Sequence, residues 1–482
     1  MDILLLSQEE THPFYAGVNA YFTAPLFSGP ALSLEKFSAA PPLGITLLAA
    51  ALRASGLTAL PLYNFFSRET EKARLVAELK KRPFAAGIST THTFRPETLR
   101  AITDLVKKIS PGTVIIAGGP GSEWNPDLRP REGYTVLGPG EETLPLLLRA
   151  LREGRDPSDV PNLSYLRDGR SLETPRSQPA PMEKLPGPAW DLYPQPPSAV
   201  AVQGSRGCAR ACGFCSYSSP FSCRGAAAVL SELRTGRERW GIRRFRFTDS
   251  DFACDPERAL EICRGLEKAG GFSWTCFTRA DSLLAPGLAP AMRRAGCQWV
   301  FFGIESGSDE LLLAMRKGCS VAEMRAGIAA AKAAGLGTHG NFVIGYPGET
   351  ARTVRETLAF VKTSGVDTVY FSPFQIRSPG IPALERKEEG LSGGREGWRH
   401  ATMNSEEMLK YTQELIEDVS ADPGAPLITS EALFSLFSGA GNGGFRADVF
   451  GFFGAFKSWH AARLAGDAAG QRLAREIMGK YL

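Results

Sequence analysis

Short apolar runs of strand length, each ending in glycine or a polar residue and followed by a helical stretch, recur through most of residues 1–392. Alternation of this kind builds parallel sheets covered by helices. In residues 1–154 the strands are DILLLS, LTALPLYN, FAAGIST, TVIIAGGP and YTVLGPGEET; helices are predicted over PPLGITLLAAALRASGL, residues 96–109 and LPLLLRALREG. Residues 96–109 carry Leu99, Ile102, Val106 and Ile109 on one side. The pattern predicts a doubly wound sheet, whose ligands lie beyond the carboxyl ends of the strands. Ser89 to His92, Gly118 to Gly121 and Gly138 to Glu141 fall there, and glycine at such a place lets the backbone approach a bulky ligand. These residues alone suit a nucleotide-like ligand or ordinary loop chemistry. Residues 155–198, rich in Pro, Ser and Asp, read as a linker whose Trp190 and Tyr193 pack on the domain that follows.

Residues 199–392 repeat the alternation six times, through VAVQGSRGC, IRRFRFTDSDF, FSWTCFTRAD, WVFFGIES, GTHGNFVIGYPGET and VDTVYFSPFQI. Six such units predict a partial (β/α)6 barrel, with reactive groups at the strands' carboxyl ends. Directly after the first strand comes GSRGCARACGFC, which sets Cys208, Cys212 and Cys215 in a C-x3-C-x2-C run. Three thiolates this close on a loop can hold three irons of a cubane cluster; no fourth cysteine follows at ferredoxin spacing, so one iron stays open. The bland readings are a zinc knuckle, which would normally take four ligands, and three buried cysteines packed as small hydrophobes.

Among 482 residues, 43% are hydrophobic and 22% charged, with a formal net charge of +4 and no long block of Lys or Arg. A packed protein of several domains is expected, without nucleic acid as partner. No apolar run reaches the length of a membrane span, and MDILLLSQEE lacks a basic flank and a cleavage site, so a cytoplasmic location is expected. The other six cysteines are scattered without pairing spacing, against a disulfide framework. Residues 393–482 change character. SEEMLKYTQELIEDV, ITSEALFSLFSG and FRADVFGFFGAFKSWHAARL predict a small helical cap domain, in which Phe450, Phe452, Phe453, Phe456 and Trp459 form a core or line an apolar pocket.

The cysteine run and the strand ends after it resemble the radical S-adenosylmethionine (SAM) enzymes. The order PPLG, GIS, AGGP, GPGEET resembles the Rossmann-like cobalamin-binding domain that precedes many of their barrels; together the likeness covers roughly residues 1–385. It implies that Cys208, Cys212 and Cys215 hold a [4Fe-4S] cluster whose open iron takes SAM. It implies SAM contacts from Phe214, Ile344 and Gly345 near adenine, and from Glu305 and Ser306 near the ribose and amino-acid portion. Arg316, ahead of Lys317, is expected at the carboxylate, because a guanidinium binds it through two nitrogens. Asp249 and Asp251 are SAM or substrate contacts or helix caps, and Arg279 is a contact or a rim salt bridge.

Gly118, Gly119, Pro120, Gly138, Gly140 and Glu141 are the implied cobalamin contacts. Many cobalamin proteins give cobalt a histidine from a D-x-H-x-x-G loop; that string is missing here, and His92 reads as a surface loop residue. The activity implied is methyl transfer to an unactivated carbon of a small molecule, natural-product intermediate or lipid, through a 5′-deoxyadenosyl radical and methylcobalamin. An electron donor such as flavodoxin or ferredoxin is implied as well. The same architecture also serves cyclisation, ring contraction or carbon-carbon coupling. A non-catalytic cobalamin or redox sensor is the reading of another class.

Overall fold

The structure is a computed structural model that describes residues 1–10, 41–93, 95–193, 197, 199–215, 220–395, 397–420, 433 and 445–479. The aromatic stretch Phe14 to Phe37 and most of ITSEALFSLFSG lie outside these residues. The chain divides into two compact units, whose described parts run to Pro197 and from Ala199 onward.

The first unit is a sheet wound on both faces. Strands β1 (Ile3–Ser7), β2 (Ala59–Tyr63), β3 (Ala85–Ser89), β4 (Val114–Gly118) and β5 (Tyr134–Val136) are parallel in the order β2-β1-β3-β4-β5. Helices α1 (Leu43–Ala54), α2 (Glu69–Lys80), α3 (Pro96–Ile109), α4 (Pro120–Trp124) and α5 (Gly140–Arg152) alternate with them. Leu4, Leu6, Ala86 and Ile88 join α2 and α3 in one core; Ile3, Leu5, Ala85 and Ile116 join α1 and α5 in the other. Burial of both faces explains why the strands read as continuous apolar runs. Helix α2 was not legible in the sequence, because its only fully buried residues are Leu75 and Leu79.

Residues 155–193 do not behave as the expected linker. Strand β6 (Leu163–Arg167) runs antiparallel to β5, and β7 (Arg170–Glu173) pairs with β6 through a two-residue turn. Asp168 and Gly169 in that turn have φ of 53° and 72°, the left-handed pair that a tight hairpin requires. Trp190 and Tyr193 belong to this unit too. The Tyr193 hydroxyl lies 2.7 Å from Thr46 Oγ1 on α1, and Ala189 and Leu192 enter the α1 side of the core.

In the second unit six parallel strands stand in the order β15-β14-β13-β12-β11-β8: β8 (Val200–Val202), β11 (Arg244–Phe247), β12 (Ser273–Thr278), β13 (Cys297–Glu305), β14 (Gly337–Ile344) and β15 (Thr368–Pro373). This is the expected six-stranded wall. Two short strands, β9 (Ser205–Arg206) and β10 (Ser222–Cys223), pair antiparallel and close the base of the cysteine loop. Helices α6 (Ala226–Trp240), α7 (Pro256–Ala269), α8 (Leu288–Arg294), α9 (Asp309–Ala314), α10 (Val321–Ala333) and α11 (Ala351–Ser364) lie between the barrel strands. Phe245 stacks on Trp274 and Phe247 meets it edge-on at one face of the wall, whereas Phe277, Phe301 and His339 share the opposite face.

After the barrel, β16 (Ser392–Gly393), β17 (Trp398–His400) and β18 (Met403–Asn404) form a small antiparallel sheet. The helices that follow are α12 (Ser405–Ser420), α13 (Phe445–Leu464) and α14 (Ala468–Gly479). Phe452, Phe456 and Trp459 of α13 are buried with Ala474 and Met478 of α14, as a helical core. Among the described residues no helix is long and apolar enough to cross a membrane.

Candidate active site

The cysteine loop is held at both ends and in the middle. Its base is the β9–β10 pair. At its centre Gly213 N–H donates to the Met315 carbonyl at 2.8 Å, and the Gly213 carbonyl accepts from Ala383 N–H at 2.8 Å. No side chain fits at position 213, since a Cβ there would overlap the Tyr346 hydroxyl. Phe214 meets the same ring edge-on, with centroids 6.4 Å apart. Cys208, Cys212 and Cys215 are half-exposed and joined in no disulfide. Among the described residues no three His, Cys, Asp or Glu side chains converge as they would on one ion.

Beside Cys212 lies a buried charged group. β13 ends in a bulge at Gly303–Glu305, which throws Glu305 into the left-handed region at φ 69°, an uncommon conformation for a side-chain-bearing residue and one that concentrates at functional sites. Glu305 accepts a hydrogen bond from Lys317 Nζ at 2.9 Å, with both side chains at most 10% exposed. Gly303 makes room for the pair, because a Cβ there would sit 3.0 Å from Lys317 Nζ and overlap the Glu305 carboxylate. Burial works against the Lys317 charge, yet Glu305 and Cys212 hold its pKa above the ordinary value. Burial likewise pushes the Cys212 thiol up, while Lys317 and Arg279 pull it down. Arg279 donates to the Lys317 carbonyl at 2.6 Å and pairs with Asp281 at 2.9 Å.

Several expected contact residues also have partners within the scaffold. Asp249 is buried, accepts from Gly204 N–H at 2.8 Å and faces Arg258 at 3.8 Å, which braces the backbone entering the cysteine loop. Asp251 accepts from Thr278 at 2.8 Å and from Arg279 N–H at 3.3 Å. Ser306, fully buried, bonds Thr357 of α11 and caps Ser308 N–H. Arg316, one residue before the buried Lys317, does not share its burial. It is exposed and lines an outer cleft of about 420 Å³ with Glu310, Leu313, Arg386 and Glu389.

The turn after β14 is tightly constrained. Ile344 is fully buried, and its carbonyl accepts from Phe374 N–H at 2.8 Å. Gly345 has φ 92°, and a Cβ there would lie 2.8 Å from Trp398. Its N–H donates to the buried carboxyl of Glu349, and its carbonyl meets His400 Nε2 at 3.2 Å. Glu349, Tyr346 and His400 carry no sequence signal of function beyond their place in or after the GYPGET turn.

In the first unit the implied cobalamin contacts gather at the carboxyl edge of the sheet. Gly118 ends β4, Gly119 follows at φ 118°, and Pro120 opens α4. Thr90, also buried, ties this loop to β3: its hydroxyl reaches the Gly118 carbonyl at 3.1 Å and accepts from Ser122 N–H at 2.9 Å. Gly138, at φ 82°, has among the described residues only Arg176 near the place of a Cβ, at 3.9 Å. Gly140 and Glu141 begin α5, where unsatisfied N–H groups favour anionic groups. The bare backbone at Gly138 beside that helix start fits a nucleotide tail. His92, the one histidine among the described residues of this unit, is exposed.

A family model of the radical SAM superfamily matches residues 202–361, and one of the B12 binding domain matches residues 37–148. An uncharacterized methyltransferase of Pyrococcus horikoshii is 30% identical over 357 residues, 70% of this chain and 76% of the relative. The anaerobic magnesium-protoporphyrin IX monomethyl ester cyclase of Rubrivivax gelatinosus is 25% identical over 341 residues, 66% of this chain and 61% of the relative. The solved structure of the radical SAM methyltransferase TsrM from Kitasatospora setae, with cobalamin and a [4Fe-4S] cluster bound, superposes with a TM-score of 0.68 at 17% identity, over 99% of this chain and all of that one. A doubly wound domain followed by a six-stranded wall with three cysteines at its rim defines a radical SAM enzyme. The chain belongs to the radical SAM superfamily, among the members that carry a B12 binding domain ahead of the barrel. Its cofactors are a [4Fe-4S] cluster, SAM and cobalamin.

Proposed function

We propose that this enzyme is a cobalamin-dependent methyltransferase acting on an unactivated carbon of a small molecule, natural-product intermediate or lipid. The observation that carries the reading is the seating of the cysteine loop against Met315, which brings Cys212 beside the buried Glu305, Lys317 and Arg279. The name of the Pyrococcus horikoshii relative, a methyltransferase, supports the group transferred. When bound, the cluster and SAM supply one-electron reductive cleavage, and cobalamin supplies a methyl carrier.

Cys208, Cys212 and Cys215 hold three irons. The Lys317 ammonium and the Glu305 carboxylate, fixed against each other at 2.9 Å, take the carboxylate and the hydroxyl or amino groups of SAM. Lys317 replaces Arg316 in this role because it is the cation that faces Glu305. Phe214 and the Ile344–Gly345 turn flank adenine. Arg279 fixes the Lys317 backbone and Asp249 the loop entry, as positioning residues. The Gly118–Pro120 and Gly138–Glu141 loops take the cobalamin tail. A flavodoxin or ferredoxin in the cytoplasm supplies electrons.

Anaerobically reconstituted protein given hydroxocobalamin should carry a full cluster and about one cobalt per chain. With SAM, reductant and substrate, S-adenosylhomocysteine should accumulate together with 5′-deoxyadenosine. Replacing all three cysteines by Ala should abolish SAM cleavage; retained cleavage would sink the assignment. The magnesium-protoporphyrin cyclase relative favours a second reading, cyclisation or coupling without methyl transfer, under which 5′-deoxyadenosine forms alone.

A further inference from the structure

Gly345 is gripped on both of its polar groups. Glu349 accepts its N–H from within the same turn, and the carbonyl meets His400, which lies on β17 beyond the barrel. The tautomer of His400 follows from its other nitrogen. Thr402 N–H points at Nδ1 from 3.3 Å; a backbone amide can only donate, so Nδ1 accepts and Nε2 carries the proton. His400 therefore donates to the Gly345 carbonyl. The ring is fixed besides by stacking on Trp398, with centroids 5.2 Å apart and planes 10° from parallel, while Trp398 Nε1 donates to the Phe374 carbonyl at 3.0 Å.

Gly345 leads straight into Tyr346, and Tyr346 is what Gly213 rests on. Its hydroxyl donates to the Ala314 carbonyl at 3.3 Å, and the same carbonyl accepts from Arg386 at 3.0 Å. The next carbonyl, of Met315, accepts from Gly213 N–H. A contiguous path thus runs from the small sheet through Gly345 and Tyr346 to the middle of the cysteine loop. We propose that His400 is a positioning residue for the cysteine loop: its Nε2–H fixes the Gly345 carbonyl, and so keeps Tyr346 seated against Gly213 and Phe214.

The test compares His400→Phe and His400→Met, which fill the space without a donor, with His400→Gln, whose amide nitrogen restores one near the position of Nε2. Each is purified with its cluster and examined for amide hydrogen exchange over residues 211–215 and 344–349, the electron paramagnetic resonance spectrum of the reduced cluster with and without SAM, and melting temperature. Loss of one buried hydrogen bond predicts exchange faster by about fivefold in both segments of His400→Phe and His400→Met. It also predicts an altered response of the cluster spectrum to SAM, with both effects reversed in His400→Gln. Either of two results would overturn the proposal. One is a lower melting temperature with exchange and spectrum at 211–215 unchanged; the other is equal damage in all three variants. No readout requires the substrate, so failure here is separable from failure of methyl transfer.

Discussion

At the scale of single residues the site depends on two close fits. Gly213 and the Tyr346 hydroxyl occupy space that admits no methyl group. Gly213→Ala should therefore lower iron incorporation sharply, while the same change in a Tyr346→Phe background should be partly tolerated. The double-mutant cycle, read as iron per chain and melting temperature, should show strong coupling. The Glu305–Lys317 pair is the second fit. Lys317→Met leaves a nearly buried carboxylate without its cation and should cost roughly 3 kcal/mol of stability, measurable by denaturant titration, whereas the exposed Arg316→Met should cost under about 0.5 kcal/mol. The cysteines and Glu305 were legible because spacing and strand position announce them. Arg316 and Lys317 are adjacent, and sequence could not say which faces inward; the turn after α9 decides that. The meeting of Gly213 with Tyr346 joins distant segments and leaves no local pattern.

At the scale of elements, the turn after β14 carries an unusual ionisable group. Burial pushes the Glu349 carboxyl up from 4.5 to about 8, although backbone N–H groups of Gly345 and Tyr346 pull the other way. A carboxyl raised in the folded state contributes stability that is whole below its unfolded pKa and is lost as pH rises through the folded value. The turn should therefore weaken between about pH 4.5 and 8 and hold level above that. Glu349→Gln should melt near the parent at acid pH and above it at alkaline pH, by an amount on the order of a few kcal/mol; parallel melting curves across pH would refute this. Strand and helix alternation was legible in both units because parallel strands buried on two faces read as apolar runs. The β6–β7 hairpin escaped because β7 is exposed throughout and shows no alternation, although Asp168-Gly169 is a strong turn signal.

At the scale of the molecule, the first unit ends later than composition suggests. A fragment of residues 1–154 lacks β6, β7, Trp190 and Tyr193, and leaves β5 as an open edge. It should melt well below a fragment of residues 1–197, or aggregate, as followed by circular dichroism and light scattering. Equal melting temperatures would show the hairpin to be an appendage. The second unit has a different kind of edge. Among the described residues its wall stops at six strands, whereas closure of the related barrel takes eight, and β8 and β15 stand at its two ends. The outer edges of β8 and β15 therefore carry, among the described residues, backbone donors and acceptors that a closed barrel would use up in its own ladder.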